Sequence, residues 1–474
     1  MNDAGRELDL AELKANVRGE VVTPSSPDYD EARTVWNATI DKRPLGILYA
    51  TGEDDVKAGL RFARENEVIA AVRCGGHSVA GRSTCDDGLI IDLSPINAVS
   101  VDPEKRTVRV AGGCLLGDVD RAAQEHELVT PAGIVSHTGA GGLALGGGMG
   151  WTTRKYGLTC DNLLRARLIT VEGEVVEASQ SENADLYWAL RGGGGNFGVV
   201  TEFEFRCHPL RREIPVGLVC KPLSEAPEFL RMYREYMPSQ PNEMKTTVVV
   251  RRGLPWPGVP EELVGKEVIT GLMVWIGEDE DAAREAFRPL VETGAGGSNF
   301  GWMSFIDLQS SADTIQLKGW GNYTKGGYLY EIPDGAIDAL VEAGEAITSD
   351  ESLIEIIPQL GAQLDLDEDD TAFTNRDAPY AYNVMARWDV RDEWQQHIDW
   401  ARNSFASLQP FAGAGVYTNF FSVGDQDRVK EAFGAKYDRL VALKTTYDPG
   451  NVLALSEGSI PPAVSGAGAG APPA

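Results

Sequence analysis

Residues 138–150 read Thr-Gly-Ala-Gly-Gly-Leu-Ala-Leu-Gly-Gly-Gly-Met-Gly, seven glycines in thirteen positions. Glycine loses more conformational freedom on folding than any other residue, so this density is explained only where backbone must lie close to other backbone or to a flat or anionic ligand. Two smaller clusters obey the same logic. One is Gly75-Gly76, inside Arg73-Cys74-Gly75-Gly76-His77-Ser78 and directly after an apolar run. The other is the four-glycine stretch 192–195. Successive N–H groups at such turns make an anion-binding nest. Gly139, Gly141 and Ala144 also satisfy a GxGxxA spacing. Residues 131–138 are nevertheless a poor strand, and the glycines at 146–148 would break the following helix, which disfavours a nicotinamide dinucleotide.

The partner classes are narrowed by charge. With 43 basic and 71 acidic side chains in 474 residues the chain carries −28, and polyanions such as nucleic acid or an anionic membrane surface require a basic face. No apolar run is long enough to span a bilayer. The partners expected are small molecules or neutral polymers. Six cysteines, at 74, 85, 114, 160, 207 and 220, are too sparse for a disulfide framework, and no CxxC pair suggests zinc. His126 and His137 have no spaced partners, so no metal is expected. The first twenty residues are charged and lack the apolar core of a secretory signal, which points to a cytoplasmic protein and makes the Asn37-Ala38-Thr39 sequon incidental.

Periodicity predicts an α+β protein. Up to residue 210, strands are expected at 45–50, 68–73, 89–93, 98–101, 107–111, 166–171, 175–178 and 199–205, with helices ending at 66 and spanning 183–190. From 211 to 410, strands are expected at 246–250, 268–275, 327–332, 353–364 and 382–388. They alternate with helices at 281–292, 335–346 and 392–408, as in an antiparallel sheet backed by helices. A strand at 417–421 and a helix at 425–447 follow. The domains expected are 1–210, 211–410, a returning segment 411–462, and a flexible tail 463–474. The aromatics from Trp302 to Tyr330 read either as a stacking platform or as sheet core.

Cys160 admits two readings. Beside Arg154 and Lys155 its thiol could be a depressed-pKa nucleophile, or it could be a small buried hydrophobe.

The stretches RCGGHS (73–78), TGAGGLALGGGMGW (138–151), RKYGLTCDNL (154–163), WALRGGGGNFGVVTEFEF (188–205) and YDPGNV (447–452) together resemble the berberine bridge enzyme-like flavoprotein oxidases, in order and across nearly the whole chain. The resemblance implies a p-cresol methylhydroxylase-type FAD-binding domain plus a substrate domain. It further implies FAD attached twice, by His77 to the 8α carbon and by Cys160 to C6, with one link or none as the alternatives. Arg73, Cys74, Gly75, Gly76, Ser78, Gly139, Gly141, Gly142, Gly146, Gly147, Gly148, Gly150 and Asn162 would hold the cofactor. Gly198, Val199 and Val200 would meet its adenine end. Tyr417-Thr418-Asn419-Phe420 resembles the family's YxNF segment, which implies Tyr417 as the base and Asn419 as a flavin contact. Lys325 or Arg376 would depress the phenol, and Tyr380 would share the relay or belong to the core. The family's asparagine turn near the C-terminus is missing here, leaving Glu457 or Ser459 as replacements.

The activity implied is oxidation of an alcohol, on a sugar, oligosaccharide or secondary metabolite, with hydride passing to flavin N5 and O2 giving H2O2. A dehydrogenase with another acceptor, or a non-catalytic flavin-binding protein, are the alternatives.

Overall fold

The computed structural model describes residues 10–292, 296–454 and 458–463. Glu457 and residues 464–474 of the tail lie outside them. Three larger sheets and a two-stranded one, Leu128–Val129 with His208–Pro209, organise the described residues. A four-stranded sheet runs in the order Val21–Val22, Gly46–Tyr49, Leu89–Asp92, Ala70–Arg73, its last three strands parallel. The helix Glu53–Glu65 covers it, burying Val56, Leu60 and Ala63 against Leu48, Leu89 and Ile91. A five-stranded antiparallel sheet follows in the order Val99–Asp102, Thr107–Ala111, Val199–Arg206, Leu163–Ile169, Val175–Ser179.

The third sheet has seven antiparallel strands in the order Gly297–Ser304, Glu213–Pro222, Glu267–Trp275, Met244–Arg252, Leu353–Pro358, Tyr380–Asp389, Trp320–Leu329. Its two faces are assigned by the two-residue period of a strand. Val248, Val250, Ile354, Ile356, Tyr382 and Val384 face the helices Ala226–Tyr236, Glu280–Glu292, Asp334–Glu345 and Gln395–Leu408, forming the largest core. The alternate residues, Lys245, Thr247, Val249, Arg251, Leu353, Glu355, Asn383 and Met385, face a groove.

Most expected elements are present within a few residues, and the differences have physical causes. The strand expected at 353–364 ends at Pro358, and Gly361, at φ +104°, starts a short helical turn. The strand expected at 327–332 instead begins at Trp320, because ten residues pair with Tyr380–Asp389. Residues 417–421 form no strand. Thr418–Phe420 is a 3-10 turn, tied to the glycine run by its side chains. The helix at 425–447 is interrupted at Gly434, whose φ of +49° suits glycine. The strand Glu213–Pro222 and the helix Ala226–Tyr236 had no counterpart in the sequence reading. Of the aromatics, Tyr323 and Tyr328 are core, while Trp302 and Tyr330 are exposed.

Asn37 stitches the N-terminal region to the seven-stranded sheet. Its amide donates to the carbonyls of Val79 and Asn322, and its oxygen accepts from the Asn322 and Thr39 N–H groups. The YDPGNV segment is a second stitch. Buried Asp448 pairs with Lys444 and accepts from the Val452 and Leu453 N–H groups, while Lys444 also donates to the Asn196 carbonyl beside the third glycine cluster.

A Cβ on Gly150 would stand 1.6 Å from the Ala132 carbonyl oxygen. Backbone cannot yield as a side chain can, so Gly150→Ala should cost about 4 kcal/mol or more, read as a large fall in the denaturation midpoint.

Candidate functional site

The groove lies between the seven-stranded sheet and the glycine-rich loops, and encloses about 450 Å³. Two of those loops meet backbone to backbone. A Cβ on Gly75 would lie 2.4 Å from the Gly139 nitrogen, and one on Gly139 would lie 2.6 Å from the Gly75 nitrogen. Elsewhere the glycine backbone is bare to the groove. Gly142 has no heavy atom within 4 Å of its Cβ position, and Gly194, at φ +77°, has only the Asn196 amide at 3.4 Å. These positions form a cradle that side chains would fill. With the nest at Cys74 to Ser78, they fit a flat dinucleotide with a pyrophosphate, which is the shape of FAD.

His77 sits at the rim of this cradle. Its Nε2 lies 2.6 Å from Nδ1 of His137, and its ring stacks on Trp36 with centroids 4.8 Å apart. Burial, then His137 and Arg387, brings its pKa down to about 3, so the imidazole is neutral and nucleophilic at physiological pH. His137, expected only not to bind a metal, is the partner of His77 here. Asp313 accepts from the Ser136 N–H and hydroxyl and stands 4.0 Å from His137 Nε2, so the pair is buttressed from the sheet side. This proximity arises from a contact 60 residues apart in sequence, and no local pattern announces it.

The expected cofactor residues divide. Cys74, Gly75, Gly76, His77, Ser78, Gly139, Gly141, Gly142, Gly146, Gly150, Gly198, Val200 and Asn419 line the groove. Gly147 and Gly148 lie behind that surface, where a Cβ would strike Phe373 and Thr159. Arg73 is a brace, pairing with Asp92 and donating to the Ala32 carbonyl. Asn162 is turned into the fold, donating to the Tyr156 and Leu158 carbonyls. Val199 is buried in the core of the first sheet. Ser459 bonds Gln426 away from the groove.

Cys160 lies behind the groove lining. It is fully buried among Met149, Leu158, Phe373 and Tyr417 and does not line the groove. Its supposed activators point elsewhere, Arg154 to the Met237 and Gln240 carbonyls and Lys155 to that of Ile276. Burial, with Asp161 adjacent, pushes the thiol well up rather than down.

The tyrosines are also redefined. Tyr417 borders the groove, and its hydroxyl oxygen accepts from the Gly148 N–H at 2.9 Å and the Asn419 amide at 2.8 Å. Burial outweighs these donors and raises the phenol to about 12. Neither expected cation assists, since Lys325 pairs with Asp425 and Arg376 with Asp161. Tyr380 is on the opposite face of the sheet, in the core beside Tyr233 at 6.0 Å between centroids, and lies outside the site.

The sequence reading missed the polar residues on the groove face of the sheet. Lys245 donates to the Gly150 carbonyl at 2.5 Å, linking the sheet to the glycine run. Burial, and then the Arg154 charge, lowers its pKa to about 7. On the neighbouring strands the Asn383 amide donates to Glu355 at 3.2 Å, and burial raises the Glu355 carboxyl against that bond and Lys245. Among the described residues there is no cluster of metal-ligating side chains, and no helix is long and apolar enough to cross a membrane.

Known proteins resemble this chain in sequence and fold. The FAD binding domain family matches residues 44–179, and the berberine and berberine-like family matches residues 416–461. An FAD-linked oxidoreductase of Dictyostelium discoideum is 29% identical over 451 residues, 93% of this chain and 94% of that protein. The (R)-6-hydroxynicotine oxidase of Paenarthrobacter nicotinovorans is 37% identical over 204 residues, 43% of this chain and 44% of that one. Among solved structures, a chitooligosaccharide oxidase superposes with a TM-score of 0.84 at 22% identity, covering 96% of this chain and 99% of the other.

Lys245 gives the site a pH signature. Its folded pKa is below the unfolded value of 10.5, so between about pH 7 and 10.5 the unfolded chain binds the extra proton and this lysine's contribution to stability rises with pH. Lys245→Met should therefore raise the melting temperature more at pH 7 than at pH 10. A gain equal at both pH values would contradict the shifted lysine.

Proposed function

Because the chain belongs to the berberine bridge enzyme-like FAD-linked oxidases, we propose that it oxidises an alcohol carbon of a small molecule or oligosaccharide with O2 as acceptor, holding FAD through a single covalent link at His77. The observation that carries this reading is the neutral, stacked His77 at the rim of a bare-backbone cradle, facing a sheet that presents a carboxyl group. In this reading residues 1–210 and 411–462 hold the cofactor and residues 211–410 the substrate. FAD, when bound, supplies a two-electron acceptor that takes hydride from carbon and passes the electrons to O2 as H2O2.

Each residue's part follows from its surroundings. The Tyr417 oxygen already accepts two hydrogen bonds, so as a neutral phenol it has only its proton left to offer the groove. It serves as a donor that orients the bound ring or the substrate oxygen. Glu355 is the better-matched proton acceptor, since its carboxyl borders the groove, is held by Asn383, and has a raised pKa nearer the working range of a general base. Lys245 sets the electrostatics beside it and fixes the Gly150 carbonyl. The apolar lining, including Met149, Trp151, Leu272 and Ile357, excludes water from the proton transfer.

Acid precipitation of the holoprotein should leave yellow flavin in the pellet, whereas His77→Ala should give a colourless pellet and Cys160→Ala a yellow one. A yellow His77→Ala pellet would restore the double tether.

In stopped flow, Glu355→Gln should slow flavin reduction by about 10²-fold or more without loss of flavin, with the wild-type rate rising with pH through the elevated Glu355 pKa. Tyr417→Phe should slow it by roughly tenfold, the loss of one oriented hydrogen bond. The reverse ranking would return the base to Tyr417.

A further inference from the structure

Along Met244–Arg252 the side chains of Lys245, Thr247, Val249 and Arg251 follow one another on the groove face. Six residues of strand place Arg251 about 20 Å from Lys245, at the opposite end of the groove. Arg251 is 3% exposed, yet among the described residues no carboxylate lies within ion-pair distance of it. Its Nε donates to the Arg252 carbonyl at 3.1 Å, and its Nη2 is buried without a hydrogen-bond partner. The indole of Trp256, also in the groove lining, lies 5.5 Å from the guanidinium carbon.

The charges around Arg251 leave it uncompensated. Glu351 acts on it only at longer range, and Arg252 is engaged by Glu267 and Asp350. Arg387, two strands away, adds positive charge: it too is buried without an ion pair, flanked by the rings of Trp36 and Trp320. A buried guanidinium with an unmet N–H is costly unless something supplies the missing acceptor. The planar fork of arginine matches the two oxygens of a carboxylate. Leu218, Val249, Leu353 and Trp256 make the surrounding wall apolar and aromatic. The aromatic and apolar wall beside this guanidinium suits a monoanion with an apolar body better than a phosphate dianion.

We propose that this end of the groove is a subsite for the carboxylate of an aryl-alkanoic acid, so that the substrate is an apolar carboxylic acid anchored at Arg251 with its oxidisable carbon deeper in the groove. The proposal rests on the groove being the substrate site of an FAD-linked oxidase, and it assigns the substrate class.

The test is anaerobic calorimetric titration of the holoprotein with a series of (hydroxymethyl)arylacetates, 4-(hydroxymethylaryl)butyrates and 6-(hydroxymethylaryl)hexanoates, each beside its primary amide. Wild-type protein should bind at least one acid about tenfold or more tighter than its amide, and added salt should weaken only the acid. Arg251→Met should reduce that preference to within about twofold while leaving amide affinity in place, and should melt no lower than wild type. Arg251→Lys, which keeps the charge without the fork, should retain a reduced preference and serves if the methionine variant fails to fold. Acids and amides binding alike, no acid in the series binding, or a preference that survives Arg251→Met would each overturn the subsite. Flavin reduction by the same compounds is recorded separately. Selective acid binding without reduction by any compound would count against the oxidase reading and leave the subsite standing, whereas reduction without acid preference would do the opposite.

Discussion

Two glycines pressed backbone to backbone hold the site together. The approach of Gly75 to Gly139 leaves room for no Cβ on either side. Through it the loop carrying His77 is fixed against the loop carrying His137, and the imidazoles meet at hydrogen-bond distance as a consequence. The same apposition turns Cys74 inward, where its thiol donates to the Cys114 carbonyl, and leaves the other flank of the glycine run open. Contact on one flank and bare backbone on the other are both consequences of missing side chains.

Across the groove the logic is reversed. The seven-stranded sheet places ordinary hydrophobes on its helix-facing side and a row of polar side chains on the other. Lys245, Glu355, Asn383 and Arg251 are set among Val249, Leu272, Leu353 and Ile357, an arrangement that stability alone would disfavour. The Asn383 oxygen, like the Arg251 Nη2, is buried without a partner. Lys245 and Arg251, on the one strand Met244–Arg252, give the groove a polar side chain toward each end.

Much of this was legible before any coordinates. The glycine clusters, His77, Asn419 and the alternation of strands and helices all carry local signals, whether φ-permissive residues, two-residue periodicity or motif order. The sequence was misleading where neighbours in the chain are not neighbours in space. Cys160 follows Arg154 and Lys155 closely, but a 3-10 turn at Cys160–Asn162 and a positive φ at Gly157 turn the thiol away from both. Tyr380 and Asn383 share a strand, and their odd separation puts one in the core and the other in the groove. Lys245 and Glu355 were invisible because their strands are brought together only by sheet order.

Asn37 shows what the stitch between sheet and loops demands of the chain's history. Its carboxamide is 1% exposed and hydrogen-bonded on both its oxygen and its nitrogen, although Asn37-Ala38-Thr39 is an acceptor sequon. In the native state no transferase could reach it, but a nascent chain threaded into a eukaryotic secretory compartment would present it before those bonds form. A glycan added there would occupy the space that Val79 and Asn322 must close. Production through such a route would divide the chains into those modified too early to fold and those folded too early to be modified, so a host without N-glycosylation is the one suited to this protein.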